Sequence, residues 1–372
     1  MGIKGKRIAP KTAKAEKAKT PRGKLSKRQK WLVAAGVAAA VPLLAFASWR
    51  LLVRPPPLPP VESPAPPLLP SMDPSNPLPP PSGTQIYRPP DIAFDQDIRT
   101  VLIAGVYDGT NTDSIMVARL NYKANEMHVV SIQRDILVMH DGRARKVNSV
   151  VSHAGGEPGG GMAELVGALE YMLGFKIGST VYVKFTGVEQ LVDSVGGVEF
   201  DVPTRLYKPE EGINLQKGLQ TLSGKQAIML LRYRGYSGGV GGLPSYDYGR
   251  MYIQQQFLKA AARQLLVPQN ITKAPEWARI FEENVTTSLK TGEILWFVEQ
   301  SFGIDSEKIT FATLPSKTDD RQLSAGQGSY DYIIADEALV MINEMLNPYN
   351  MDITRDMVSW YMPWATRDAK EH

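Results

Sequence analysis

The sequence predicts an α/β fold: a single extracytoplasmic αβα domain with a central mixed sheet, preceded by one transmembrane helix and a proline-rich stalk. Three observations predict it. An uncharged apolar run extends from Trp31 to Trp49, a proline-dense stretch comes next, and after Asp91 short Val- and Ile-rich runs alternate with amphipathic stretches. That last alternation is the pattern of strands interleaved with helices.

Residues 1–30 carry 12 Lys and Arg against the lone acid Glu16, a composition that cannot bury enough apolar surface to fold and reads as a disordered tail. With Arg50 and Arg54 this region accounts for +13, so the rest of the chain carries about −9 of the net +4. The basic character belongs to the tail and gives no support to nucleic-acid binding.

Residues 31–53 form the expected membrane helix. At ~1.5 Å per residue the uncharged run nearly spans a ~30 Å hydrocarbon layer, and Trp31 and Trp49 stand where interfacial aromatic anchors are expected. The positive flank keeps the N-terminus in the cytoplasm and exports the chain beyond Val53. The small residues of Ala45-Phe46-Ala47 leave a cleaved signal peptide as the alternative, opposed by the apolar run continuing through Trp49, Leu51 and Leu52. Residues 54–94, with runs such as PPPLPP and PLPPPSG, favour an extended polyproline-like linker.

Residues 95–350 are read as one domain and 351–372 as a tail; the 43% hydrophobic content suffices for one full-sized core. Strands are expected at Thr100–Val106, Ser114–Leu120, Glu126–Ile132, Thr180–Phe185, Val198–Val202 and Lys308–Leu314. Helices are expected at Met162–Leu173 before Gly174, Gly187–Ser194, Ser223–Leu231 and Tyr248–Leu266 before Pro268. Three more are expected at Glu276–Glu283, Glu293–Phe302 and Asp336–Leu346.

Several chemistries are excluded. Cysteine is absent, which removes disulfides, thiolate metal sites and a cysteine nucleophile. The four histidines (His128, His140, His153, His372) have neither metal nor triad spacing. The glycine-rich stretches Gly155–Gly161 and Gly235–Gly242 lack a following GK[ST], so they read as loops and not nucleotide cradles. No helix-turn-helix or basic recognition helix stands in the exported region.

What stands out is arginine in apolar company. SIQRD puts Arg134 and Asp135 at the end of a strand, LLRYRG puts Arg232 and Arg234 just past a helix, and Asp247, Arg250 and Gln254 share one face of the helix YGRMYIQQQFLKAA. Converging guanidiniums suit a pyrophosphate, because the planar fork meets phosphate oxygens bidentately and stays charged at any working pH.

The order of these segments resembles the LytR-CpsA-Psr family of membrane-anchored cell-envelope enzymes. The likeness runs strongly over about residues 99–268 through TVLIAG, TDSIMVARLN, VVSIQRD, KVNSV, VYVKFTGVEQLVDSVGGVEFDVP, LLRYR and DYGRMYIQQQFLKA, and weakly over the next 80. The resemblance implies transfer of a glycopolymer, with its linking phosphate, from a polyprenyl-pyrophosphate carrier to a peptidoglycan hydroxyl. By position it implies that Arg134, Arg232, Arg234 and Arg250, with Lys146, Asn148 and Gln254, bind the pyrophosphate. It implies magnesium held by Asp113 and Asp108, Asp247 or Asp135 as the proton acceptor, and a lipid pocket lined by Phe185, Val188, Leu191, Val192, Ile228, Phe257 and Leu258. Core packing is the competing reading of those apolar residues. The chain departs from the family pattern at Tyr107, which stands where a metal carboxylate is usual, and at Asn111 and Ile253, which stand where arginines are common. A non-catalytic member that binds polyprenyl phosphates or organises the envelope is the competing functional reading.

Overall fold

A computed structural model describes residues 53–60, 91–106, 111–140, 143–156, 160–234, 246–265, 267–304, 306–319 and 329–360. Three antiparallel strands run through its centre: β1 (Ile98–Val106), β2 (Thr112–Asn121) and β3 (Glu126–Ile132), with Leu102 opposite Val117 and Val117 opposite Val130. The hairpin β4 (Leu137–His140) and β5 (Arg143–Lys146) comes next. Helix α1 (Gly161–Leu173) then leads to β6 (Ser179–Lys184), which lies parallel to β1, and the chain passes directly into α2 (Phe185–Ser194). Two small antiparallel pairs, β7 (Val198–Val202) with β10 (Gly218–Leu222) and β8 (Leu206–Lys208) with β9 (Ile213–Leu215), precede α3 (Gly224–Arg232) and the long α4 (Tyr246–Leu265).

Beyond these, α5 (Ala274–Asn284) precedes β11 (Val285–Thr287), and α6 (Thr291–Gly303) precedes β12 (Ile309–Thr313). The hairpin β13 (Ser316–Asp319) and β14 (Tyr330–Ile333) leads into α7 (Ala335–Met341), which continues as a π-helical turn, Ile342–Leu346. The main sheet is six-stranded and mixed, in the order β11-β6-β1-β2-β3-β12.

Alternation along the strands makes three layers. Leu102, Ala104, Ile115, Val117, Val130 and Ile132 face a cluster with Leu165, Leu169 and Met172 of α1 and with Ala338 and Ile342 of the α7 region. The intervening Met116, Ala118 and Val129 face the other way, against Leu258 of α4. A period of two along a strand forces this division, and each fully buried Val, Leu or Ile contributes roughly 1.5–3 kcal/mol. A second cluster joins α2, α3 and α4 to the small sheets, with Phe200 and Phe257 edge to face at 5.7 Å.

The expected strands and helices are found with ends shifted by a few residues, apart from Phe185, which begins α2. Domain limits need correction. Val53, expected to end the membrane helix, and residues 54–60, expected in the linker, are packed on the domain: Val53 is buried with Leu120 and Trp296, and the Pro56 carbonyl accepts from Arg99 Nε at 2.9 Å. Ile92 and Phe94 are also buried, and Phe94 bridges to Tyr349.

At the other end, the expected tail supplies buried Ile353, Met357, Val358 and Trp360, and Trp360 Nε1 donates to the Met172 carbonyl at 2.8 Å. Their anchor is Gly174, which ends α1 at φ 79°. A Cβ there would lie 2.8 Å from Ile353 and 2.9 Å from Val358, so only glycine permits both the turn and the close approach. No helix among the described residues is long and apolar enough to cross a membrane. The expected span 31–53, apart from Val53, lies outside them, as do most of the linker, Asp108 and Gly235–Gly242.

Candidate anion-binding site

The charged residues meet at one end of the sheet, where β3 stops and β2 begins. Gly105 pairs with Ser114 and Val106 with Thr112, so Asp113 is the extra residue of a bulge. A bulge re-aims the side chain it carries. Arg134 lies just past β3; its carbonyl accepts from the Asn148 N–H at 3.1 Å, and the Ile136 carbonyl accepts from Val147 at 2.8 Å, which folds the β4–β5 hairpin back. Lys146 thereby stands opposite Leu137 and brings its ammonium 3.2 Å from Asp135 Oδ1.

A capping box fixes the start of α3: the Ser223 N–H donates to Gln226 Oε1 at 2.9 Å and the Gln226 N–H to Ser223 Oγ at 3.4 Å. The helix ends in an extended Tyr233, which delivers Arg234 to the site. Asp247, Arg250 and Gln254 come from successive turns of α4 at helical spacing.

Asp247 is the hub. It accepts from Arg134 Nε at 2.5 Å and lies 3.4 Å from Arg234 Nε and 3.4 Å from Arg250 Nη2. Asp113 Oδ1 faces the same three guanidiniums at 3.9, 3.7 and 4.0 Å. Together with Lys146 and Asp135, four cations confront three carboxylates, and the site carries about one net positive charge when all are ionised. A cavity of about 10 Å³ lies among Asp113, Ser114, Ser131, Arg134, Asp247, Arg250 and Gln254, room for a single water.

Arg250 is 4% exposed, and its Nε has no hydrogen-bond partner among the described residues. Burial pulls its pKa down to about 10; Asp247 opposes the shift while Arg234 and Arg134 add to it. The guanidinium is still charged at neutral pH, but it is held in an environment that favours any added anion.

Arg134, Arg234, Arg250, Asp113, Asp135, Asp247, Lys146 and Gln254 are therefore drawn into one neighbourhood. Gln254 spans Ser114 Oγ at 3.4 Å and the Leu231 carbonyl at 2.9 Å. Asn148 enters through its backbone, bonded to Arg134 and Thr112. Arg232, the last residue of α3, does not line the cavity. Phe185, Val188, Val192, Ile228 and Phe257 belong to the second apolar cluster, Leu258 faces the main sheet, and Leu191 is half-buried on α2. A larger groove of about 270 Å³ is lined by other residues, among them Phe200, Tyr252, Ile253 and Lys259.

Asp331, which adjoins the site through Asp135, was not revealed by the sequence, nor were Ser114 and Ser131 of the cavity lining. The Asp331 N–H donates to the Asp135 carbonyl at 2.9 Å and its Oδ1 accepts from Thr318 Oγ1 at 2.7 Å. Burial pushes its pKa up, and Asp135 and Asp247 add to that against Thr318 and Lys146. The signal available was an Asp alternating between Tyr330 and Tyr332 in a short strand, an unusual inward position for a carboxyl.

For a metal, no group of three or more His, Cys, Asp or Glu is found among the described residues. Asp113 nonetheless fits a hard cation: its contacts are ion pairs of 3.7–4.0 Å, which leave its oxygens without a close hydrogen bond. Magnesium commonly takes one or two carboxylates and completes its shell with phosphate and water.

A model of the LytR_cpsA_psr family matches residues 88–347. The chain is 30% identical over 212 residues to regulatory protein MsrR of Staphylococcus aureus, covering 56% of this chain and 60% of that protein. It is 30% identical over 207 residues to the polyisoprenyl-teichoic acid–peptidoglycan teichoic acid transferase TagV of Bacillus subtilis, covering 53% of this chain and 50% of that one. The chain thus spans only 50–60% of the length of these curated relatives. The crystal structure of B. subtilis TagV superposes with a TM-score of 0.56 at 26% identity, covering 68% of this chain and 96% of that one.

Proposed function

The chain belongs to the LytR-CpsA-Psr family, and from that membership and the geometry of its charged site we propose that it transfers a phospho-glycopolymer from a polyprenyl-diphosphate carrier to a peptidoglycan hydroxyl. The single observation that carries this reading is the convergence of Arg134, Arg234 and Arg250 on the one carboxylate of Asp247, beside a small cavity that Arg134 and Arg250 line. The acceptor oxygen attacks the phosphorus nearest the glycan. An O–P bond forms, the bridging P–O bond breaks, and polyprenyl monophosphate leaves. Fixed guanidiniums offset the charge that grows on the leaving phosphate, the kind of preorganised contact worth roughly 10²–10³ in rate per donor.

The hydroxyl proton passes to Asp135 or Asp247, two of the three carboxylates that border the guanidiniums. Asp113 would hold magnesium against the diphosphate, where the ion supplies further neutralisation of phosphate charge. The uncharged apolar run that begins at Trp31 is read as the anchor, with the domain outside the cytoplasm on the side where peptidoglycan lies.

Incubating the detergent-solubilised chain with a polyprenyl-diphosphate-linked glycan, peptidoglycan and magnesium tests this. Transfer abolished by Arg234→Ala supports it, whereas transfer indifferent to that change removes it. Tyr107, standing in place of a family carboxylate, favours the alternative of a protein that binds polyprenyl phosphates without turnover. Tight binding with no transfer, under conditions where a related transferase is active, would select that alternative.

A further inference from the structure

The three guanidiniums are already occupied by an anion of the chain's own. Asp247 contacts Arg134, Arg234 and Arg250 at 2.5, 3.4 and 3.4 Å, a ring of donors of the sort a phosphate would otherwise meet. Its carboxylate is only 16% exposed, and the cavity beside it, at about 10 Å³, holds a water and not a phosphate group. The two facts are connected, since a phosphate can reach all three arginines only where Asp247 now sits. One donor is left over: among the described residues the buried Nε of Arg250 has no hydrogen-bond partner, so the internal carboxylate satisfies the ring incompletely.

Resting on the proposed diphosphate chemistry, we infer that Asp247 is a specificity-determining residue, an internal anion that a diphosphate displaces and a simple phosphate does not. The reason is the number and span of oxygens, since a diphosphate esterified at both ends carries about two negative charges, no more than a phosphomonoester. An inorganic phosphate or phosphomonoester brings at most about two negative charges and three or four oxygens on one centre, little more than the carboxylate it evicts, whose separation from its partners must first be overcome. A diphosphate adds a second phosphorus with its own oxygens, so it can engage the three guanidiniums and the unpaired Arg250 Nε together, bidentately. Sulfate and phosphate, both common outside the cell, are thereby kept from filling the site. Once displaced, Asp247 is released from its three ion pairs, and its oxygens become available to the incoming hydroxyl.

The test uses the full chain in detergent micelles, titrated calorimetrically with inorganic pyrophosphate and with inorganic phosphate at fixed ionic strength. Asp247→Asn keeps the shape and removes the charge; Asp247→Ser serves as a second variant should the amide disturb folding, and a thermal melt checks each. The expected result is that phosphate affinity rises roughly tenfold, the worth of one nearby charge in a partly exposed site, while pyrophosphate gains less, so the preference between the two anions narrows. Unchanged or weakened phosphate binding overturns the inference, and so does an equal gain for both anions, which is a general charge effect. Arg234→Gln separates the two levels. If it abolishes pyrophosphate binding while Asp247→Asn changes nothing, only the internal-anion role fails; if wild type binds neither anion, the diphosphate reading fails with it.

Discussion

Two buried arginines lie toward opposite ends of the sheet, and they are satisfied in different ways. Arg99, 7% exposed near the start of β1, donates to the carbonyls of Pro56, Gln96 and Ile98 and lies 5.8 and 6.0 Å from the rings of Tyr122 and Trp296. Arg250, 4% exposed, meets carboxylates at 3.4 and 4.0 Å, and its Nε has no hydrogen-bond partner among the described residues. Burial lowers the pKa of both. Neutral carbonyls held at hydrogen-bond distance make a closed structural clamp, while long ion pairs and an orphan donor make a site that gains by binding something. What a buried charge touches, and not its burial, distinguishes scaffold from function.

The sharpest way to break this contrast is to neutralise each arginine. Arg250→Gln is expected to lower transfer by about 10²–10³-fold with little loss of melting temperature, read by initial rates and calorimetry. Arg99→Ala should do the reverse. Leaving three carbonyls unpaired costs about 2–4 kcal/mol, visible as a lower melting temperature and as earlier proteolysis of the 53–60 segment, with unchanged turnover in the folded fraction. Equal effects on both properties in both variants would erase the distinction.

Asp331→Asn sharpens it further. The folded-state pKa of Asp331 is raised above its ordinary 3.8, so the native state holds this proton more tightly than the unfolded chain does. Stability linked to it is fully present below pH 3.8 and is lost as pH rises through the folded-state value. The asparagine should therefore melt higher than wild type at neutral pH, with the gap closing as pH falls toward 3.8. A gap that stays constant with pH would show that Asp331 is not burying its charge. Smallest of all, Ser223→Ala removes the capping box of α3 for about 1 kcal/mol, and it should leave pyrophosphate affinity untouched because it acts at the end of α3 opposite to Arg234.

Legibility in the sequence followed the same division. The central strands announced themselves because they are buried on both faces, as in TVLIAGV, and α1 and α3 because glycine and a serine cap mark their ends. Arg134, Arg234 and Arg250 stood out as arginines in apolar company. The β4–β5 and β13–β14 hairpins escaped notice, being strands of four residues whose short runs carry no clear period. Asp331 was lost with the second of them. Val53–Pro60 escaped for another reason: proline-rich sequence favours an extended chain, and extended chain docks as readily as it projects when a buried arginine offers its carbonyls a partner. Of the apolar residues expected around a lipid, sequence could specify that they are buried but not whether they part to admit a tail.

A crystal structure of the chain with a polyprenyl diphosphate bears most directly on the central claim. The diphosphate oxygens should lie within about 3 Å of Arg134, Arg234 and Arg250, with the Asp247 carboxylate moved away from them. A diphosphate seated instead in the groove lined by Tyr252, Lys259 and Arg263, with Asp247 still ringed by its arginines, would contradict it.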